Sequence, residues 1–248
     1  MPSPAEPARP SGGIGEMLIS SRSLGEYRAM FALTEADLAR RILDCPGGTA
    51  SFTAEVNAAG GNATACDPIY AQHSPDDLLA RSMAETERGN RYVRAHPGQY
   101  RWSFFPDAEE HQRSRIIAGT RFAGDLRHHP RRYVPGRLPE LPFADASFEL
   151  VLSSHLLFSY ADRLDLAFHH QAICELMRVA RDELRVFPLV AMGSPVSYPK
   201  LDGLLAGLRG NKIVGRVVEV DYEFQAGGNQ MLVCRHTGRP SCSLGVVS

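Results

Sequence analysis

Two aspartates and a glycine pair have the spacing of a cofactor-binding turn. An apolar run ends at Asp44, Pro46 and the pair Gly47-Gly48 follow, and a segment of helical composition comes next. A second short apolar run ends at Asp67. In a parallel α/β sheet the turn after the first strand approaches a nucleotide-like cofactor. An acid after the second strand can accept hydrogen bonds from both ribose hydroxyls.

This turn suits a cofactor that carries no pyrophosphate. The dinucleotide fingerprint G-x-G-x-x-G has Pro46 and Ser51 in place of its first and third glycines here, and no P-loop lysine follows. Proline also removes an amide donor that a phosphate would use. S-adenosylmethionine (SAM) has no phosphate, so Asp44 can face its ammonium group and Asp67 its ribose. We therefore predict SAM as the cofactor.

The elements around the turn predict an α/β fold. Strand and helix patterns alternate five times, and two strands joined by "QAGG" close the chain. We expect a Rossmann-like, seven-stranded, mostly parallel sheet with helices on both faces and a terminal antiparallel hairpin. Residues 71–132 show no strand pattern and predict a helical insertion before strand three. Before strand one, residues 23–41 look helical, and Thr34 can begin a second short helix.

Composition sets the outer limits. The 248 residues are 44% hydrophobic, which is typical of a single domain. The formal net charge of -1 gives no overall positive potential that would attract nucleic acid. We predict a disordered tail over 1–22 and a single domain over 23–248. No secretory signal or membrane-spanning run is visible, and the five cysteines are scattered, so we expect a reduced, cytoplasmic protein. Two adjacent histidine pairs do not share a helix face, so we expect no metal site.

The sequence resembles the class I SAM-dependent methyltransferases over roughly 41–236. "ILDCPGGTASF" is similar to the family's glycine motif, and "LPFADASFELVLSSHLL" to its segment around strand four. The strings "EYRAMF" and "YEFQAGGNQML" resemble an uncharacterised bacterial subgroup. By position, the resemblance implies a set of cofactor-binding residues. These are Asp44, Pro46, Gly47, Gly48, Asp67, Pro68, Ile69, Arg137, Leu138, Ser153, Ser154 and His155.

Candidate catalytic and acceptor-binding residues follow from the same resemblance. His155 comes directly after strand four, next to the expected methyl group, and histidine titrates near neutrality, so we name it as a candidate general base. A packed or capping histidine is the alternative. Tyr27, Met30 and Phe31 form a stripe on the first helix that could line the acceptor pocket or simply pack in the core. Tyr160 is a weaker candidate.

The function that these features favour is methyl transfer to a small-molecule acceptor. The alternatives are an RNA or protein methyltransferase that docks through the insertion, and a SAM-fold protein repurposed for binding or another reaction. Residues 71–132 contain eleven arginines interleaved with eight acidic residues, so a solvated helical face is favoured over a nucleic-acid surface. A homodimer is compatible with the sequence.

Overall fold

The computed structural model of the chain describes residues 17–238. Within that range the strands form a single seven-stranded sheet. They are β1 (Arg41–Asp44), β2 (Asn62–Cys66), β3 (Tyr133–Val134), β4 (Phe148–Ser154), β5 (Ala180–Phe187), β6 (Ile213–Glu219) and β7 (Gln230–His236).

The sheet has the order β3-β2-β1-β4-β5-β7-β6. Strands β1 to β5 run parallel, whereas β7 pairs antiparallel with both β5 and β6. The strand order reverses between β1 and β4, and a crevice at the carboxyl ends of the strands is expected at such a reversal. The predicted fold class, with its terminal antiparallel hairpin, is confirmed.

Seven α-helices of the described range connect and cover the strands. They are α1 (Leu24–Phe31), α2 (Glu35–Leu38), α3 (Phe52–Ala58), α4 (Pro75–Ala95), α5 (Ala108–His128), α6 (Leu166–Val179) and α7 (Leu201–Gly210). Thr34 and Asp37 form a reciprocal capping box at the start of α2, which confirms that the predicted N-terminal helical stretch is two helices.

Both faces of the sheet are buried. Alternate residues of β4 point to opposite sides: Val151 packs with α6 and α7, and Leu150 and Leu152 pack with α1 and α3. Because both faces are covered, the middle of β4, residues 150–152, is a continuous apolar run without alternating polar residues. The helices on the two faces of the sheet hold the carboxyl ends of β1, β2 and β4 at one edge.

The long connection between β2 and β3 is helical, and it packs on the β2–β3 side of the sheet. Leu78 of α4 and Phe122 of α5 form a small core with Tyr133 of β3. The division of the chain into tail and domain stays a prediction for residues 1–16, which lie outside the described residues. Residues 17–22 differ from the predicted tail, because Ser21 is buried and its hydroxyl lies 2.8 Å from that of Thr49.

Candidate active site

A cavity of about 540 Å³ opens at the carboxyl ends of β1, β2 and β4. It lies at the reversal of strand order and contains most of the predicted cofactor residues. The predicted residues on its wall are Pro46, Gly47, Gly48, Asp67, Pro68, Ile69, Arg137, Leu138, Ser154 and His155. We call this space the first cavity.

The glycine turn is held by two polar side chains. The Gly48 amide donates to Asp67 Oδ2 at 3.0 Å, and the Tyr70 hydroxyl donates to the Gly48 carbonyl at 2.7 Å. Gly48 has φ +52°, a left-handed conformation that favours glycine. A side chain at Gly47 would place its Cβ 2.6 Å from the Tyr70 hydroxyl. Both glycines are therefore required by the local geometry.

Asp67 holds the glycine turn and also lies on the wall of the first cavity, although it is only 7% exposed. Its Oδ1 accepts the Ile69 amide at 3.1 Å, while Oδ2 accepts the Gly48 amide. Each carboxylate oxygen has a further lone pair, so the side chain can still accept bonds from a ligand hydroxyl. Burial raises the pKa of Asp67, and the two amide donors oppose that shift.

Asp44 lies behind the wall of the first cavity. It is 1% exposed, and the Tyr27 hydroxyl lies 3.0 Å from both of its carboxylate oxygens. Burial raises the pKa of Asp44 well above its usual range, and the Tyr27 hydrogen bond opposes that shift. A buried carboxyl of this kind becomes ionised when a cation binds beside it. Tyr27 is fixed by stacking on Phe52, with ring centroids 4.5 Å apart.

A second, smaller cavity of about 110 Å³ lies next to the first. Helices α4 and α5, the end of β5 and the loop before β7 form its walls. Four aromatic residues contribute to them, which are Tyr100, Phe187, Tyr222 and Phe224. Both cavities share five wall residues, which are Leu18, Ile19, Ser20, Arg22 and His155. Ligands in the two cavities would thus be separated only by these shared wall residues.

His155 forms part of the wall between the two cavities. Its backbone adopts φ +52°, and its amide donates to the Phe187 carbonyl at 2.7 Å. The Ser154 hydroxyl lies 2.8 Å from its Nδ1 atom. Burial, with smaller contributions from Arg22 and Arg115, lowers the pKa of His155 well below its ordinary value. The position agrees with the prediction, whereas the lowered pKa does not fit the near-neutral titration that supported a general base.

A buried charge cluster made of Arg22, Glu26, Arg115 and Tyr222 supports the second cavity. Arg115 Nη2 donates to Glu26 Oε1 at 2.7 Å, and the Tyr222 hydroxyl donates to the same oxygen at 2.7 Å. Arg22 Nε lies 3.5 Å from that oxygen and has no hydrogen-bond partner. Burial opposes ionisation of Glu26, but Arg115 outweighs it and lowers the pKa of this carboxyl.

The structure corrects part of the predicted acceptor site. Met30 and Phe31 are both 0% exposed and pack in the core against the sheet, so neither reaches a cavity. Their helical spacing reflects burial of α1. Tyr27 and Tyr160 line the first cavity instead of the second. Ser153 is buried and does not line either cavity, because side chains alternate between the two faces of β4 and that of Ser153 lies on the face away from the cavities.

Sequence reasoning missed most of the second cavity. Arg22, His111 and Arg115 come from segments far apart in the chain, and their polar character alone did not distinguish them from solvated residues. One signal was present: Tyr222, Phe224 and Gln225 belong to the string "YEFQAGGNQML". Gly227 of that string needs glycine, because an added Cβ would lie 2.2 Å from the Pro195 carbonyl oxygen.

Within residues 17–238 no group of three or more His, Cys, Asp or Glu side chains has an arrangement that could hold a metal ion. Over the same range no helix combines the length and the apolar composition that a membrane crossing requires.

Two solved structures are distantly similar to this chain. The mitomycin 7-O-methyltransferase MmcR is 16% identical with a TM-score of 0.45, over 86% of this chain and 53% of that chain. The magnesium protoporphyrin IX methyltransferase ChlM from Synechocystis PCC 6803, solved with bound SAH, is 12% identical with a TM-score of 0.45, over 85% of this chain and 80% of that one. This chain thus spans about half the length of MmcR.

Sequence comparison gives a closer relationship. No family model matches the chain. The uncharacterized protein MJ0045 of Methanocaldococcus jannaschii is 30% identical over 221 residues, which cover 89% of this chain and 96% of that protein. The chain therefore belongs to the same protein family as MJ0045.

Proposed function

We propose that the chain is a SAM-dependent methyltransferase that acts on a small molecule. The observation that supports this best is the first cavity, where Asp67 and a glycine turn without a phosphate cradle form part of the wall, and Asp44, at the end of the neighbouring strand, lies behind it. Asp67 faces the cavity and can accept ribose hydroxyls. Asp44, buried with Tyr27, can neutralise an ammonium group beside the turn.

The residues of the chain then bind, orient and exclude water. Gly47 and Gly48 let the backbone approach the amino-acid end of the cofactor, and Pro68, Ile69 and Leu138 offer apolar contacts to a base. When bound, SAM supplies an electrophilic methyl group on a sulfonium. His155 lies between the cavities, so a ligand atom in the second cavity can approach the first. Alignment and removal of water account for several kcal/mol of catalysis in such displacements.

The second cavity favours a small acceptor over RNA or a protein. Its walls come from six separate segments of the chain, and its volume is about 110 Å³. Arginines of the insertion also form ion pairs on their own helices, as Arg91 does with Glu87 and Arg113 with Glu110. This pairing supports a solvated face on α4 and α5.

Calorimetric titration with S-adenosylhomocysteine (SAH) and NAD tests the cofactor. We expect SAH to bind with a Kd on the order of micromolar and NAD to give no heat of binding. Asp67→Ala should weaken SAH by about 10- to 100-fold, because charge-assisted hydrogen bonds contribute about 1.5–3 kcal/mol. Asp76→Ala, at an exposed position of α4, is the control and should bind as the parent does. Binding of NAD without SAH would contradict the assignment.

A further inference from the structure

The charges around the second cavity do not balance. Two guanidinium groups, Arg22 and Arg115, and one carboxylate, Glu85, belong to its wall. Directly behind the wall, Glu26 binds Arg115, and Arg88 binds Glu85 with its Nη2 at 2.5 Å. Arg22 and Arg115 therefore share one carboxylate, that of Glu26, so this buried cluster holds more positive than negative groups.

Arg22 carries the least compensated of these charges. Arg115 forms a bidentate ion pair with Glu26 and also donates to the Ser21 carbonyl at 2.9 Å. Arg22 instead lies 3.5 Å from the nearest Glu26 oxygen, donates from Nη1 to the Ser20 hydroxyl, and leaves Nε without a hydrogen-bond partner. It also borders both cavities. A guanidinium that borders a cavity and shares its carboxylate with a second arginine is a site for an anionic group of a ligand.

The wall of the second cavity also contains two histidines, His111 and His155. His111 is 7% exposed, stacks on Phe224 with centroids 4.5 Å apart, and has no partner for Nδ1. Burial, reinforced by Arg115, lowers the pKa of His111 to about 3. The pKa of His155 is lowered as well. Neither ring is then a strong base at neutral pH, so an acceptor that must lose a tightly held proton receives little help here.

We infer that the acceptor is a small aromatic acid that enters the second cavity as an anion, with Arg22 binding its negative oxygen. This inference rests on the proposed function. The cavity of about 110 Å³ is comparable in size to the ~150 Å³ apolar cavities that admit benzene, and its rings suit an aromatic body. The anionic oxygen uses a lone pair to form the new O–C bond. The electron pair of the broken C–S bond stays on sulfur, so the two opposite charges cancel and no proton moves.

The test uses the full chain saturated with SAH and two probes of the same shape, benzoate and neutral benzamide. We expect benzoate to bind at least about tenfold more tightly by calorimetry or ligand-observed NMR. Arg22→Gln should remove this preference. Arg113→Gln, an exposed arginine on the same helix as Arg115, is the matched control and should retain it. Equal binding of the two probes, or no binding of either, overturns the inference. If the protein still binds SAH in that case, the proposed function is unaffected.

One further arm separates the two anions that Arg22 could bind. The carboxylate of the cofactor's amino-acid end is the other source of the same chemistry, and 5′-methylthioadenosine lacks that group. We expect Arg22→Gln to change the affinities for SAH and for methylthioadenosine by less than about threefold each. If the variant weakens SAH more than tenfold and leaves methylthioadenosine unchanged, the guanidinium binds the cofactor, and the acceptor assignment is wrong. Failure of the parent protein to bind SAH would remove the proposed function itself.

Discussion

Gly47 lies at a position where no side chain fits. An added Cβ would come 2.6 Å from the Tyr70 hydroxyl and 2.8 Å from Ala65 Cβ. We expect Gly47→Ala to destabilise the protein by about 1–3 kcal/mol, as overpacking does, and to weaken SAH by at least tenfold because the turn must move. Urea unfolding and calorimetry measure the two effects. Gly124→Ala is the control, since nothing lies within 4 Å of its added Cβ. Unchanged SAH binding in Gly47→Ala would show that the turn does not form the cofactor site.

His111 should make stability depend on pH. Its pKa is lowered to about 3 in the folded protein by burial and by Arg115, with Glu26 acting in the opposite direction. Unfolded histidine titrates near 6.5, so below that pH the unfolded state binds the extra proton and stability falls as pH falls. The slope is about 1.4 kcal/mol per pH unit.

Urea unfolding at pH 7 and pH 5 measures this dependence. We expect the parent to lose about 2 kcal/mol more over this interval than His111→Gln does. His128→Gln, at an exposed position of α5, should lose as much as the parent. Identical losses in the parent and in His111→Gln would mean that the imidazole is not held neutral by its surroundings.

Glu26 connects three elements that are far apart in the sequence. It belongs to α1, it binds Arg115 of α5, and it accepts the hydroxyl of Tyr222, which follows β6. Removing one partner of a buried ion pair typically costs about 3–5 kcal/mol, because the remaining charge is left without compensation. We expect a loss of this size for Glu26→Ala in urea unfolding. Glu87→Ala removes an exposed pair on α4 and should cost at most about 1 kcal/mol. Similar small losses in both variants would contradict the structural role of the cluster.

The elements themselves were largely predictable from the sequence, since periodicity and end signals are local. The apolar run of β4, the capping box at Thr34 and the glycine turn all lie where the sequence indicates. The first cavity was predictable for the same reason, because its residues follow strand ends in a parallel sheet. The second cavity was not, since its walls depend on how α5 and the loop before β7 pack against residues 18–22. Met30 was wrongly considered as a pocket residue, because its helical spacing reflects packing in the core.

The whole domain should respond to the cofactor. A ligand that binds only the folded state stabilises it by about 2.7 kcal/mol at a hundredfold excess over Kd. For a domain of this size, each kcal/mol raises Tm by about 2–4 °C, so we expect SAH at that excess to raise Tm by roughly 5–11 °C. Differential scanning fluorimetry measures the shift. It should be much reduced for Asp67→Ala and retained for Asp76→Ala. No shift in the parent at saturating SAH would argue against specific binding to the folded chain.

The bond between Tyr222 and Glu26 joins residues 196 positions apart. All residues on the wall of the first cavity lie between 17 and 168, whereas the second cavity also needs residues 222–228. As the ribosome extends the chain, every wall residue of the first cavity has therefore emerged well before the second cavity can close. Glu26 and Arg115 are fully shielded from water only when the last hairpin has been made, so the second cavity is completed at the end of synthesis.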